Sequence, residues 1–145
     1  MTPSIPNNDD VNFFHTSIEN VCNKHDKNYY PDFKKQCDEY FYLPHRDEPR
    51  GEGGIFFDHL NNNNFDKDFN FIHDFGEDIL TTICTIIEKR KNKSWSQKEK
   101  DIQLFKRGRY VEFNLLWDRG TLFGLKTGGS TEAILMSMPP TAKWD

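Results

Sequence analysis

The sequence predicts an α+β fold that mixes helices with antiparallel strands. Two observations carry this. Apolar residues recur at three- and four-residue spacing in the first ninety positions, the period of amphipathic helices. Between 109 and 120 the period changes to two, with Val111, Phe113, Leu115 and Trp117 on one side and the more polar Tyr110, Glu112, Asn114, Leu116 and Asp118 on the other, as in a strand. Glycine, proline and asparagine clusters separate these runs and set the element boundaries. With 145 residues the chain has the length of one domain.

The first helix is predicted over 7–22. Asn7 or Asn8 can cap it, Asp9 and Asp10 suit its first turn, and Val11, Phe14, Ile18, Val21 and Cys22 line one side. His15 falls on that same side. A second helix is predicted to open near Pro31, a favourable first-turn residue. Phe33, Cys37, Tyr40 and Phe41 form its stripe, and Pro44 ends it before His45. GGIFFDHL, 53–60, reads as a short buried strand, and the four asparagines 61–64 as a solvated connector. A long amphipathic helix is predicted over 66–90 on Phe69, Ile72, Ile79, Leu80, Ile83 and Ile87, with Gly76 as its weak point. SQKE at 96–99 fits a capping box and opens a helix carrying Ile102, Leu104 and Phe105. RYVEFNLLWDRG, 109–120, reads as a strand with Val111, Phe113, Leu115 and Trp117 on one face. TLFGLKTGG, 121–129, would return as the second arm of a hairpin. TEAILMSM, 131–138, suits helix and strand equally, and Pro139-Pro140 stops either.

Composition narrows the function classes. The net charge is −4 and the sequence pI about 5.7, which argues against a nucleic-acid protein, since that needs a basic face. Mean hydropathy is −0.83, and no apolar run approaches the roughly 20 residues of a spanning helix. Thirteen Phe, five Tyr and three Trp point to a core of large rings. Three cysteines, Cys22, Cys37 and Cys84, form no CxxC pair and read as reduced thiols of a cytosol-like compartment.

The arginines are unevenly dealt. Arg46 and Arg50 share one stretch, and Arg107, Arg109 and Arg119 another. Clustered guanidinium groups in an acidic chain suggest a carboxylate or phosphate site, because each can grip such a group with two parallel hydrogen bonds. Ordinary pairing with Asp and Glu is the other reading. HRDEPRGEGG, 45–54, combines Arg46 and Arg50 with glycines that let backbone approach something flat or bulky, or simply turn tightly. No Lys-Ser/Thr follows, so it is not a phosphate loop. Glu112, Asn114 and Asp118, with Arg107 or Arg109, would line a pocket or a wet strand face. His25, His59 and His73 read as surface residues or as supports behind site residues.

Taken in order, YFYLPHRDEPRGEGGIFFD, FKRGRYVEFNLLWDRGTLFGL and TGGSTEAILMSMPP resemble the oxygen-dependent coproporphyrinogen III oxidases. The resemblance runs over nearly the whole chain and is weakest at 60–100. It implies an antiparallel sheet flanked by helices, here as a partial copy of that fold in one domain, 1–145. It implies oxidative decarboxylation of coproporphyrinogen III to protoporphyrinogen IX in haem synthesis, two propionates becoming vinyl groups. Molecular oxygen is the co-substrate, no organic cofactor is used, and a divalent metal is disputed. The family's substrate-binding arginines correspond to Arg46, Arg50 and Arg107, and its glycine segment to Gly128, Gly129 and Ser130, where Ser130 replaces a common arginine. Asp118 corresponds to the acid of the family's WDRG turn, a candidate catalytic residue. His15 and His45 fall on positions treated as divalent-metal ligands. The resemblance further implies a homodimer joined through about 110–129. It implies a cytoplasmic address, or a mitochondrial one if a presequence precedes Met1. Finally, it implies that the chain lacks the family's N-terminal half, with the proton-donor histidine, so that a binding or dimerising remnant without turnover is the alternative function.

Overall fold

The computed structural model describes residues 1–144. It is α+β: six helices and one small antiparallel sheet. The residues group into two compact units. One comprises Met1, Pro6–Phe41 and Gly51–Ser94; the other comprises Thr2–Ile5, Tyr42–Arg50 and the chain from Trp95.

The first unit is built from α1 (Asn8–His25), α2 (Tyr29–Tyr40) and α3 (Phe65–Arg90). The Asn7 side chain caps α1, as its sequence indicates, and Asn64 caps α3 by accepting from Lys67 N. Helices α1 and α3 run antiparallel, which three contacts fix. Asp10 at the start of α1 takes Lys89 and Arg90 from the end of α3. Ser17 donates to Asp78 at 2.8 Å and shares a 2.6 Å hydrogen bond with Thr82. His25 at the end of α1 meets Asp74 at 2.9 Å.

The core of this unit is aromatic. Tyr29 packs on Phe33 at 4.9 Å and on Phe71 at 4.7 Å between ring centroids, and Phe57 lies 4.6 Å from Phe33. Cys22 and Phe71 are fully buried among them. Burial raises the Cys22 thiol to about 11, so it stays protonated and behaves as a small apolar group. The expected stripe of α3 is corrected here. Phe71 and Thr82 face α1, while Phe69, Ile72, Leu80 and Ile87 are exposed. The apolar residues of α3 occupy more than one side, so their spacing alone did not say which side was covered.

The strand expected at 53–60 does not form. Gly53 (φ 77°) and His59 (φ 57°) turn the backbone out of the extended region. Phe56 N–H donates to the carbonyl of Phe33 in α2 at 3.0 Å instead of to a strand. Ile55, Phe57 and Leu60 nevertheless pack on the core, as a buried segment should.

Asp10 carries a pH prediction. The Arg90 guanidinium holds its carboxyl near pKa 2, below the ordinary 3.8. A depressed carboxyl contributes stability above its unfolded pKa and loses it as pH falls through its folded one. Stability of the protein should therefore decline between about pH 4 and pH 2, and Asp10→Asn should flatten that decline. Urea melts across this range test it; an unchanged slope in the variant would rule the clamp out.

The second unit contains β1 (Tyr42–Leu43), β2 (Glu48–Pro49), α4 (Gln97–Leu116), α5 (Arg119–Lys126) and α6 (Thr131–Leu135). The strands pair antiparallel, Tyr42 opposite Pro49 and Leu43 opposite Glu48. Asp47, at φ 53°, makes the turn. The strand expected at 109–120 and its return arm at 121–129 are corrected to α4 and α5. Ser96 and Glu99 close the predicted capping box and nucleate α4, which runs straight through the alternating stretch. Phe105, Arg109 and Phe113 also stand four apart, so the same residues satisfy a helical face. Asp118 accepts from Thr121 N at 2.7 Å and starts α5 where a hairpin turn was expected. The segment 131–138, ambiguous in sequence, is helical at α6 and capped by Ser130.

Gly108 marks the tightest packing in α4. A Cβ there would stand 2.5 Å from the carbonyl oxygen of Lys143 and 3.3 Å from Trp144. Helix propensity favours Ala over Gly by about 1 kcal/mol, but overpacking costs about 1–3 kcal/mol. Gly108→Ala should therefore lower the thermal midpoint; a rise would mean that the 143–144 segment yields freely.

Candidate functional site

The middle of α4 gathers the charged residues of HRDEPR. The β1–β2 turn lays His45 and Arg46 beside Glu112. Arg46 donates Nε–H to Glu112 Oε2 at 2.9 Å and Nη2–H to Oε1 at 2.7 Å. His45 Nε2 meets Oε2 at 2.8 Å, and Arg109 Nη1 reaches Oε1 at 3.4 Å. The Glu112 side chain is only 10% exposed. The Arg46 guanidinium holds its carboxyl at about 2, far below 4.5, against the opposing effect of burial, with His45 adding to the lowering. Arg109, itself buried, donates Nε–H to Glu48 at 2.7 Å and lies over the Phe105 ring at 4.4 Å. One turn on, the Arg50 guanidinium sits 4.9 Å from the Phe113 ring centroid and 5.7 Å from that of Tyr110.

Trp117 fixes the tautomer of His45. An indole N–H can only donate, and Trp117 Nε1 donates to His45 Nδ1 at 3.0 Å. The ring proton is therefore on Nε2, aimed at Glu112. The two rings also stack, with centroids 5.9 Å apart. His15, in the first unit, is equally committed: Nε2 bonds the Glu52 carbonyl at 2.8 Å and Nδ1 meets Tyr30 Oη at 3.0 Å. Burial raises Tyr30 above its usual range and keeps it a donor. Neither histidine thus offers a free ring nitrogen to a cation. Among the described residues no group of three His, Cys, Asp or Glu is arranged to hold a metal.

The structure brings His45, Arg46 and Arg50 together on α4 and leaves Arg107 apart. At about 100° per residue, Arg107 stands about 140° around the helix from Glu112. Of the two arginines expected beside Glu112, it is Arg109 and not Arg107 that reaches it. Two hollows of about 420 and 380 Å³ open in the second unit, one lined by Trp95, Glu99 and Lys100, the other by Phe105, Lys143 and Trp144; Arg46, Arg50 and Arg107 line neither. Asp118 and Ser130 act as helix caps, and Gly128, at φ 74°, ends the turn after α5 where a side chain would be strained. The sequence reading grouped Glu112 and Arg109 as pocket residues but overlooked Glu48 and Trp117. Glu48 is signalled only as one of two acids, with Asp47, between Arg46 and Arg50; Trp117 belongs to the apolar face of the expected strand.

The sequence model of the coproporphyrinogen III oxidase family matches residues 1–145, the entire chain. The chain belongs to this family. Among curated relatives, the oxygen-dependent coproporphyrinogen-III oxidases of Francisella tularensis subsp. holarctica and Francisella philomiragia subsp. philomiragia are each 58% identical over 144 residues, covering 99% of this chain and 47% of theirs. That of Francisella tularensis subsp. novicida is 57% identical over the same share. The chain spans about half the length of the curated relatives it matches. Residues 60–100, where the resemblance read from sequence is weakest, lie within the match.

Proposed function

We propose that this chain is part of an oxygen-dependent coproporphyrinogen III oxidase, and that its second unit recognises the carboxylates of the tetrapyrrole. The observation that supports this most is 58% identity across 99% of the chain to oxidases of that name. The reaction converts two propionates to vinyl groups. Each loses carbon dioxide and, from the neighbouring carbon, a hydride equivalent whose electrons pass to molecular oxygen.

The arginines have a defined part in this reading. A guanidinium stabilises a carboxylate as an anion, and decarboxylation removes that charge. Arg46 and Arg50 therefore suit the propionates that survive, holding the macrocycle while its other arms react. Arg107, on a different side of α4, is assigned to a further propionate, and Gly128, Gly129 and Ser130 to close backbone approach. Asp118 is the candidate acid for pyrrole N–H groups. Exposed Leu115, Leu116, Trp117 and Phe123 favour the homodimer through about 110–129. No organic cofactor enters the proposal. The described helices include none long and apolar enough to cross a membrane, and a cytoplasmic location is part of the same reading.

Binding of the tetrapyrrole without turnover is the second reading. One experiment separates them: coproporphyrinogen III is incubated with the protein under oxygen while vinyl product and oxygen uptake are followed, and coproporphyrin III binding is titrated in parallel. Turnover supports the oxidase, binding alone the second reading, and neither overturns both.

A further inference from the structure

Arg46 turns its Nε/Nη2 edge to Glu112, donating to both carboxylate oxygens at 2.9 and 2.7 Å. That is the edge with which a guanidinium takes a ligand carboxylate in two bonds. Glu112 also has somewhere else to go. Arg109, one turn earlier on the same helix, already touches it at 3.4 Å. A buried carboxylate that releases one guanidinium would ordinarily become an unpaired charge, which is strongly unfavourable. Glu112 can release Arg46 and remain paired with Arg109. His45, held by Trp117, also points its Nε2 proton at Glu112 and remains beside it.

We propose that Glu112 is an internal stand-in for a substrate carboxylate: it occupies Arg46 in the empty protein and yields it, by moving to Arg109, when an external carboxylate arrives. Glu112 then sets how strongly the site takes acids. It keeps Arg46 oriented and screens it from small anions, so that only a ligand with additional contacts displaces it. This rests on the carboxylate-binding reading above, but its test does not need the tetrapyrrole.

The experiment follows the Arg46 Nε–H and Trp117 indole N–H resonances of the full chain while sodium propionate is added, with sodium chloride at equal ionic strength as the reference. In the unaltered protein propionate should act no differently from chloride. In Glu112→Gln, which removes the competing charge, it should produce a saturable shift with a midpoint at least roughly ten-fold below the highest concentration that leaves the unaltered protein unchanged. Glu112→Asp, which keeps the charge on a shorter arm, should fall between. Combining Glu112→Gln with Arg46→Gln should abolish the gain. A thermal melt is recorded for each. If Glu112 only braces the turn, Glu112→Gln lowers both the melting midpoint and anion binding; the exchange requires the midpoint to fall while binding rises. Equal or weaker propionate binding in Glu112→Gln would overturn the inference. Stronger propionate binding without any coproporphyrin III binding would leave it standing and remove the tetrapyrrole reading instead.

Discussion

Replacing Phe71 with alanine should remove about 3–5 kcal/mol from the unfolding free energy of the protein, the range for deleting a large buried ring. Phe71 is fully buried. Its ring lies 4.7 Å from Tyr29, 5.7 Å from Phe57, 6.0 Å from Phe33 and 5.5 Å from the His25 imidazole. It is the residue through which α1, α2, α3 and the 55–60 segment share one core. A small domain has only about 5–15 kcal/mol of stability in total, so the loss would bring the unit near unfolding at room temperature. Phe65→Ala is the comparison: its ring is 78% exposed and the change should stay within about 0.5 kcal/mol. Denaturant melts of the two variants decide it. A Phe71→Ala loss under about 1 kcal/mol would mean that the ring cluster does not hold the helices together.

Arg46→Ala should weaken coproporphyrin III binding by roughly ten- to a hundred-fold, the equivalent of one charged, two-bonded contact of about 1.5–3 kcal/mol. Arg46→Lys should recover little of this. An ammonium is a point charge and cannot reproduce the parallel pair of N–H donors. Arg50→Ala should weaken binding through a second route, since it also strips the cation from the faces of Phe113 and Tyr110. Lys35 stands in the first unit and its side chain is 76% exposed; Lys35→Ala should leave affinity unchanged. Equal losses at Lys35 and Arg46 would reduce the effect to general charge.

Much of the first unit was legible in the sequence, and the reason is local chemistry. Asn7 and the acidic pair after it specify where α1 begins, and Phe14, Ile18, Val21 and Cys22 specify its buried side. The Ser96–Glu99 capping box was equally explicit. What failed at 109–129 was a choice between two patterns present together. Val111, Phe113, Leu115 and Trp117 alternate, while Phe105, Arg109 and Phe113 repeat every fourth residue. Only packing could decide, and Gly108 against the Lys143 carbonyl favours the helix. The same change of element explains the site. On a strand Arg109 and Glu112 would point to opposite faces; on a helix they stand three apart on one side, and Arg109 reaches Glu112. Clustering of Arg46 and Arg50 was visible, but the identity of their partners depended on a turn at Asp47 and a contact 66 residues away, which no local spacing encodes.

The central claim is that guanidinium groups on α4 and the β1–β2 turn recognise the acidic arms of the tetrapyrrole rather than its apolar body. The most direct measurement titrates the protein with coproporphyrin III and with the tetra-amide of the same macrocycle, following tryptophan quenching at two salt concentrations. The account predicts that the acid binds, more weakly at high salt, and that the amide does not. Equal affinity for the two, insensitive to salt, would contradict it.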